Sequence, residues 1–142
     1  MSIIGKCALC FQIADLQRSH LIPRAMYVDL RTPQLPNPNP IIGTPDDVGP
    51  RQEQVVAPLL CRPCEHRFNI NGEKWVLENG YRLKGPSRLY EALKDAAPLP
   101  EFSSRTVYAG TGLNGVDVDK LAYFGASIFW RVSKTIISET GF

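Results

Sequence analysis

The chain has 142 residues, 44% apolar and 21% charged, a composition that suits one packed domain and excludes a disordered polyelectrolyte. Sixteen Lys and Arg against fourteen Asp and Glu leave a net charge of +2, which by itself marks no polyanion binder. No run approaches the roughly 18 apolar residues of a spanning helix, and Met1 to Lys6 has no apolar signal core, so a single cytoplasmic domain over 1–142 without membrane contact is expected.

Cys7-Ala8-Leu9-Cys10 opens the ordered part of the chain as a tight knuckle. "RSHLIPRAMYVDL", residues 18–30, reads as a short strand, a turn at Pro23 and a helical turn from Arg24. "TPQLPNPNPIIGTPDDVGP", residues 32–50, holds six of the twelve prolines and reads as an extended loop of polyproline character. "EQVVAPLLC", residues 53–61, is β-branched and apolar, and should be a strand returning to the first knuckle.

The period changes at "CRPCEHRFNI", residues 61–70. Pro63 suits a helix start and Glu65 its first turn. Asn71-Gly72 either stops this helix or begins a second one carrying Trp75, Val76 and Leu77. "GPSRLYEALKDAAP", residues 85–98, is a short helix capped by Ser87 and ended by Pro98. Residues 99–118 read as a loop with a small strand at 106–109. The last element is a helix capped by Asp117 or Asp119, in which Leu121, Phe124, Ile128 and Val132 recur at three- and four-residue steps. Tyr123 and Trp130 lie off that stripe, either extending the core or offering a homo-oligomer contact through this helix.

Cys7, Cys10, Cys61 and Cys64 are the only cysteines, and both pairs are C-x-x-C. That spacing lets two thiolates reach one tetrahedral Zn²⁺ from each knuckle. Four thiolates close the site and leave no position for water or substrate, so the zinc is read as structural. A redox pair would need only one such motif in a thioredoxin-like setting. The order is that of an α+β treble clef: knuckle, β-hairpin, then a helix bringing the last two ligands. This ββα core spans 5–80, with the Pro-rich loop 32–50 inserted and a helical extension over 81–142.

In a treble clef the first hairpin strand lies against the helix after the second knuckle. His20 is on that strand, and Glu65, His66 and Asn69 are in the first turns of that helix. An imidazole, a carboxylate and an amide would then share one site. A hard ion such as Mg²⁺ takes oxygen ligands, and a free imidazole can take a proton from water. Together they could hydrolyse a phosphodiester. The plainer reading of His20 is a satisfied structural group, and of Glu65 a partner for the helix dipole. Residues 51–94 carry eight basic and five acidic side chains, while 95–119 carry one and four, so cations gather around the second knuckle.

C-x-x-C, then His20-Leu21-Ile22-Pro23, then L-C-x-x-C running into a polar helix resembles the HNH endonuclease family, the ββα-metal nucleases. More narrowly, "SHLIPRAMY", "LLCRPCEHRF" and "FWR" resemble an uncharacterised bacterial HNH-like subgroup with a four-cysteine zinc site. The resemblance covers 7–31 and 58–73 and touches 129–131. It implies that His20 is the general base. It also implies that Glu65 and Asn69, helped by His66, hold Mg²⁺ or Mn²⁺, and that Arg24, Arg62 and Arg67 bind the phosphates of nucleic acid, DNA above all. Two departures stand out. Ser19 occupies the place where the family sets Asp, Glu or His as a metal ligand, and "QVVAPLL", residues 54–60, lacks the family's middle Asn. Either Glu65 supplies the missing charge, or the metal site is degraded. In the degraded case the fold persists as a module that binds nucleic acid or a protein partner without cleavage.

Overall fold

The computed structural model describes residues 2–30, 41–43, 48–50, 54–81, 85–100 and 106–140. The described residues form an α+β fold of five strands and four α-helices, with two π-helical turns. The chain divides into two compact units, residues 1–67 with 127–142, and residues 68–126.

The first unit is built on a three-stranded antiparallel sheet in the order β1-β2-β5. Here β1 is Ile4–Lys6, β2 is Ile13–His20 and β5 is Val56–Cys61. β1 pairs with β2 through Ile4↔Asp15 and Lys6↔Ile13. β2 pairs with β5 from Leu16↔Cys61 to His20↔Val56, with a bulge between Gln17 and Arg18 that leaves Leu59 without a register partner. The Leu59 carbonyl instead accepts from the Ala8 N–H at 2.9 Å, joining the knuckle to β5. Pro58 is tolerated because β5 is an edge strand, where one missing donor breaks no inner ladder.

β2 is longer than the strand expected around Arg18. It leads through the fully buried Pro23 into α1, Arg24–Leu30. The buried Tyr27 ties α1 back, its hydroxyl accepting from the Val55 N–H at 3.2 Å. Within the Pro-rich stretch, β3 (Ile41–Gly43) pairs with β4 (Val48–Pro50), so part of the expected extended loop is a small hairpin. The rest of that stretch, residues 32–40 and 44–47, lies outside the described residues. Cys7, Leu59, Leu60, Cys61 and Cys64 form the buried centre of this unit together with Tyr27.

β5 runs without a loop into α2, Arg62–Phe68. Asn71-Gly72 does not stop the helix. The backbone continues through one π-helical turn at Asn69–Glu73 and a second at Val76–Gly80. The Lys74 N–H donates to Asn69 O and the Tyr81 N–H to Val76 O, each five residues back.

The second unit explains the continuation. Gly72 is buried against the final helix α4, Val118–Thr140. A Cβ at Gly72 would lie 2.9 Å from the Phe124 nitrogen and 3.0 Å from the Lys120 carbonyl oxygen. Glycine is there for a close approach of two backbones, not for a turn. Phe68 meets Tyr123 edge to face, with centroids 5.9 Å apart and rings at 82°. Asn79 donates to the Trp75 carbonyl at 2.9 Å and accepts from Arg88 at 3.4 Å, holding the second π turn to α3, Arg88–Lys94.

The expected caps are present. Ser87 Oγ accepts from the Tyr90 N–H at 3.1 Å, and Asp117 rather than Asp119 caps α4 by accepting from the Lys120 N–H at 3.0 Å. The small strand expected at 106–109 is one bridge, Pro98↔Tyr108. Tyr123 is half-buried on Phe68, and Trp130 is half-buried as well.

A Gly72→Ala substitution should cost about 1–3 kcal/mol, because two backbones must separate to admit the methyl group. Urea unfolding followed by circular dichroism measures this. The same change at the half-buried Gly125, which has open space around its Cβ position, should move stability far less and serves as the control.

Candidate metal centre and the polar cluster next to it

The four sulfurs of Cys7, Cys10, Cys61 and Cys64 all lie within 4.8 Å of one another. The Cys10 and Cys61 sulfurs are 3.7 Å apart. Four thiolates about 2.3 Å from one tetrahedral ion would sit about 3.8 Å apart, so the donor set has the size of a zinc site. A disulfide, at about 2.05 Å, does not describe that pair.

Backbone geometry builds the centre from both sides. The Cys7 N–H donates to the Gln12 carbonyl and the Phe11 N–H to the Cys7 carbonyl, each at 2.9 Å, which closes the first knuckle. Phe11 takes φ 63°, the left-handed conformation that lets the chain leave the knuckle and enter β2. For a non-glycine residue this costs roughly 1 kcal/mol or more. On the other side the Cys61 N–H points at the Cys7 sulfur at 3.4 Å. Cys61 ends β5 and Cys64 lies in the first turn of α2, so strand and helix each deliver one thiol.

Without a cation, the four thiols cannot all ionise. Burial raises the Cys7 thiol, but hydrogen bonds from the Cys10, Cys61 and Leu9 backbones pull it down to about 6. Burial pushes Cys64 up to about 12, helped by the competing sulfurs of Cys61, Cys10 and Cys7. At Cys61 the Cys64 backbone acts downward, yet burial and the Cys7 and Cys10 sulfurs leave the thiol raised. Cys7 is the sulfur readiest to be a thiolate, and the raised thiols of Cys61 and Cys64 lose their protons more easily to a dication. That is the behaviour of a metal site, and zinc fits its donors, size and closure.

Glu65 follows Cys64 directly and begins a second cluster. Its Oε2 accepts from Ser19 Oγ at 2.7 Å. Its Oε1 accepts from Arg131 Nη2 at 3.3 Å. Ser19 is 2% exposed and Arg131 is 1% exposed, while the Glu65 side chain keeps 31% of its surface. A half-open carboxylate is thus mounted between a buried hydroxyl and a buried guanidinium. Arg131 comes from α4, where the buried positions Phe124, Ser127 and Arg131 recur at three- and four-residue steps. The buried line of this helix runs through Ser127 and Arg131, whereas Ile128 and Val132 of the expected stripe are half-buried.

The other site residues are placed as follows. His20 is half-buried at the end of β2. Successive strand residues point to opposite faces. Ser19 turns to Glu65, and the alternation sends His20 to the other face of β2. His66, Arg62, Arg67 and Arg24 are exposed in the first unit. Asn69 is exposed in the first π turn and belongs to the second unit. The contacts therefore bring Glu65 to Ser19 and Arg131, two residues that were not among the expected site residues. The available signal was a lone arginine at core spacing in a mostly apolar helix.

Comparison of the chain with protein-family models, curated proteins and solved structures finds no match.

Two outcomes test these clusters. The purified protein should carry about one zinc per chain by elemental analysis, and a strong chelator should unfold the first unit, because metal affinity of this kind is worth about 10–16 kcal/mol to folding. Cys61→Ser should lose the metal and the sheet signal together. Glu65→Ala should destabilise by about 2–3 kcal/mol, since it removes a carboxylate from a buried guanidinium; the exposure of Glu65 keeps the cost below that of a fully buried pair.

Proposed function

We propose that this chain is a zinc-stapled module of HNH-type treble-clef architecture that binds nucleic acid. The observation that carries the reading is the charge on the surface of the first unit. Lys6, Arg18, Arg24, Arg62 and Arg67 are all exposed there, while Asp15 is the one exposed acid among its described side chains. The chain-wide net charge of +2 does not show this distribution, which holds among the described side chains of that unit. Exposed guanidinium groups pair with phosphate oxygens through their planar forks. The knuckle, the hairpin strand and the helix that begins between Cys61 and Cys64 support the treble-clef description.

A second reading, phosphodiester hydrolysis, is favoured by His20. The four cysteines close the zinc site without it, and its imidazole is half-exposed at a strand end. In that reading His20 activates water, and Glu65 with Asn69 or His66 takes Mg²⁺ or Mn²⁺. The Arg131–Glu65 pair weighs against the divalent ion. A cation arriving at Oε1 would meet a fixed guanidinium at 3.3 Å from that oxygen, a repulsion of several kcal/mol at an effective dielectric near 20. Binding without cleavage is therefore the primary conclusion.

Fluorescence anisotropy with labelled DNA over a salt series tests both readings. Binding should weaken as salt rises, with a slope of about −0.9 per neutralised phosphate on duplex or about −0.7 on single strands. Arg62→Glu together with Arg67→Glu should reduce affinity about tenfold or more at low salt. No affinity at low salt would remove the nucleic-acid reading. Plasmid nicking in Mn²⁺ that disappears in His20→Ala, with binding retained, would establish the hydrolytic reading.

A further inference from the structure

Phe11 occupies a position that the fold itself would fill better with glycine. Its φ of 63° lies in the left-handed region, and its N–H is fixed to the Cys7 carbonyl at 2.9 Å. A bulky side chain is strained there. The ring is also 65% exposed, so burial does not offset the strain. The contact recorded for the ring is a cationic one: the Lys6 ammonium lies 5.5 Å from its centroid.

The surroundings of the ring are equally exposed. Lys6 is the register partner of Ile13, and Ile4 is two residues along β1 on the same face. Ile4 is 68% exposed and Ile13 is 71% exposed. A strip of Ile4, Lys6, Ile13 and Asp15, the register partner of Ile4, is therefore exposed on the sheet that leaves the knuckle carrying the ring. A bare apolar patch has no preferred occupant. This one carries a cation on its ring, and it belongs to the unit whose exposed charged side chains, among the described residues, are mostly Lys and Arg. The complementary ligand has a flat π-face joined to an anion, which is the chemistry of a nucleotide in a single strand.

We propose that Phe11 is a stacking platform for an unpaired nucleobase, with Lys6 taking an adjoining phosphate. The proposal rests on the nucleic-acid reading above and deepens it. It names single-stranded or locally unpaired nucleic acid as the ligand and places one base at the knuckle tip.

The test uses the zinc-loaded full chain, with a short labelled oligothymidylate and a duplex of the same length as probes. Phe11→Gly relieves the strained φ, so the variant should melt at the same temperature as the wild type or higher. Its affinity for the single strand should nonetheless fall about tenfold, within the range that base–aromatic stacking supplies, while duplex affinity stays within about twofold. Phe11→Trp should keep single-strand affinity and show indole quenching by the bound oligonucleotide, beyond any change in the wild type. Lys6→Gln should lower the salt slope for the single strand.

Equal single-strand binding by wild type and Phe11→Gly would overturn the platform while leaving the nucleic-acid reading standing. Absence of binding by the wild type to either probe would overturn both. Self-association of the wild type that vanishes in Phe11→Gly, with single-strand affinity unchanged, would assign the ring to a protein contact and overturn the proposal.

Discussion

The convergence of four sulfurs within 4.8 Å is the constraint on which the first unit rests. The two cysteine pairs are separated by residues 11–60, a long loop to close by weak contacts. The sheet of this unit is small, and β1 contributes only three residues. A unit of this size has few apolar side chains to offset chain entropy. The metal centre joins the first knuckle, the end of β5 and the start of α2 at one point, so the sheet and helix form around a common anchor. The bulge at Leu59 belongs to the same construction, because its carbonyl is spent on the Ala8 amide and not on β2.

The Ser19–Glu65–Arg131 cluster sits one residue beyond that anchor and has a different character. A carboxylate next to a helix start needs no partner when it faces water. This one is engaged on both oxygens by groups that are almost fully buried. A buried guanidinium carries a large desolvation penalty, and a paired carboxylate is what makes it tolerable. The cluster therefore fixes where α4 meets α2 within the first unit. It also removes Glu65 from the pool of open acidic groups. The family resemblance reads Glu65 as a ligand, whereas the hydrogen bonds read it as a counter-ion.

Much of the metal centre was legible in the sequence because ligand spacing is a local property. Two C-x-x-C motifs state their own geometry, and Ser87 and Asp117 state theirs as caps. Gly72 was not legible in the same way. An Asn-Gly pair is a stop signal when neighbouring residues alone decide, but here the backbone of α4 near Lys120 and Phe124 decides. Arg131 was obscured for a related reason. Apolar periodicity ranks positions by side-chain type, and a buried arginine is the residue such a ranking places outside. The hairpin of β3 and β4 was hidden by the prolines around it, since its pairing is between Ile41–Gly43 and Val48–Pro50 and does not use the proline-dense residues before it.

The junction between β5 and α2 has a consequence for how the chain can vary. Cys61 is the last strand residue and Arg62 the first helical one, with nothing between them. A loop would absorb an inserted or deleted residue, but this junction cannot. One extra residue there would turn α2 by about 100° relative to the strand, swinging Cys64 away from the other sulfurs and Glu65 away from Ser19. The metal centre and the polar cluster thus share a single phase, set where a period of two hands over to a period of 3.6. Length changes between the two knuckles are free to collect in the proline-rich stretch, while the segment from Val56 to Phe68 behaves as one indivisible unit of inheritance.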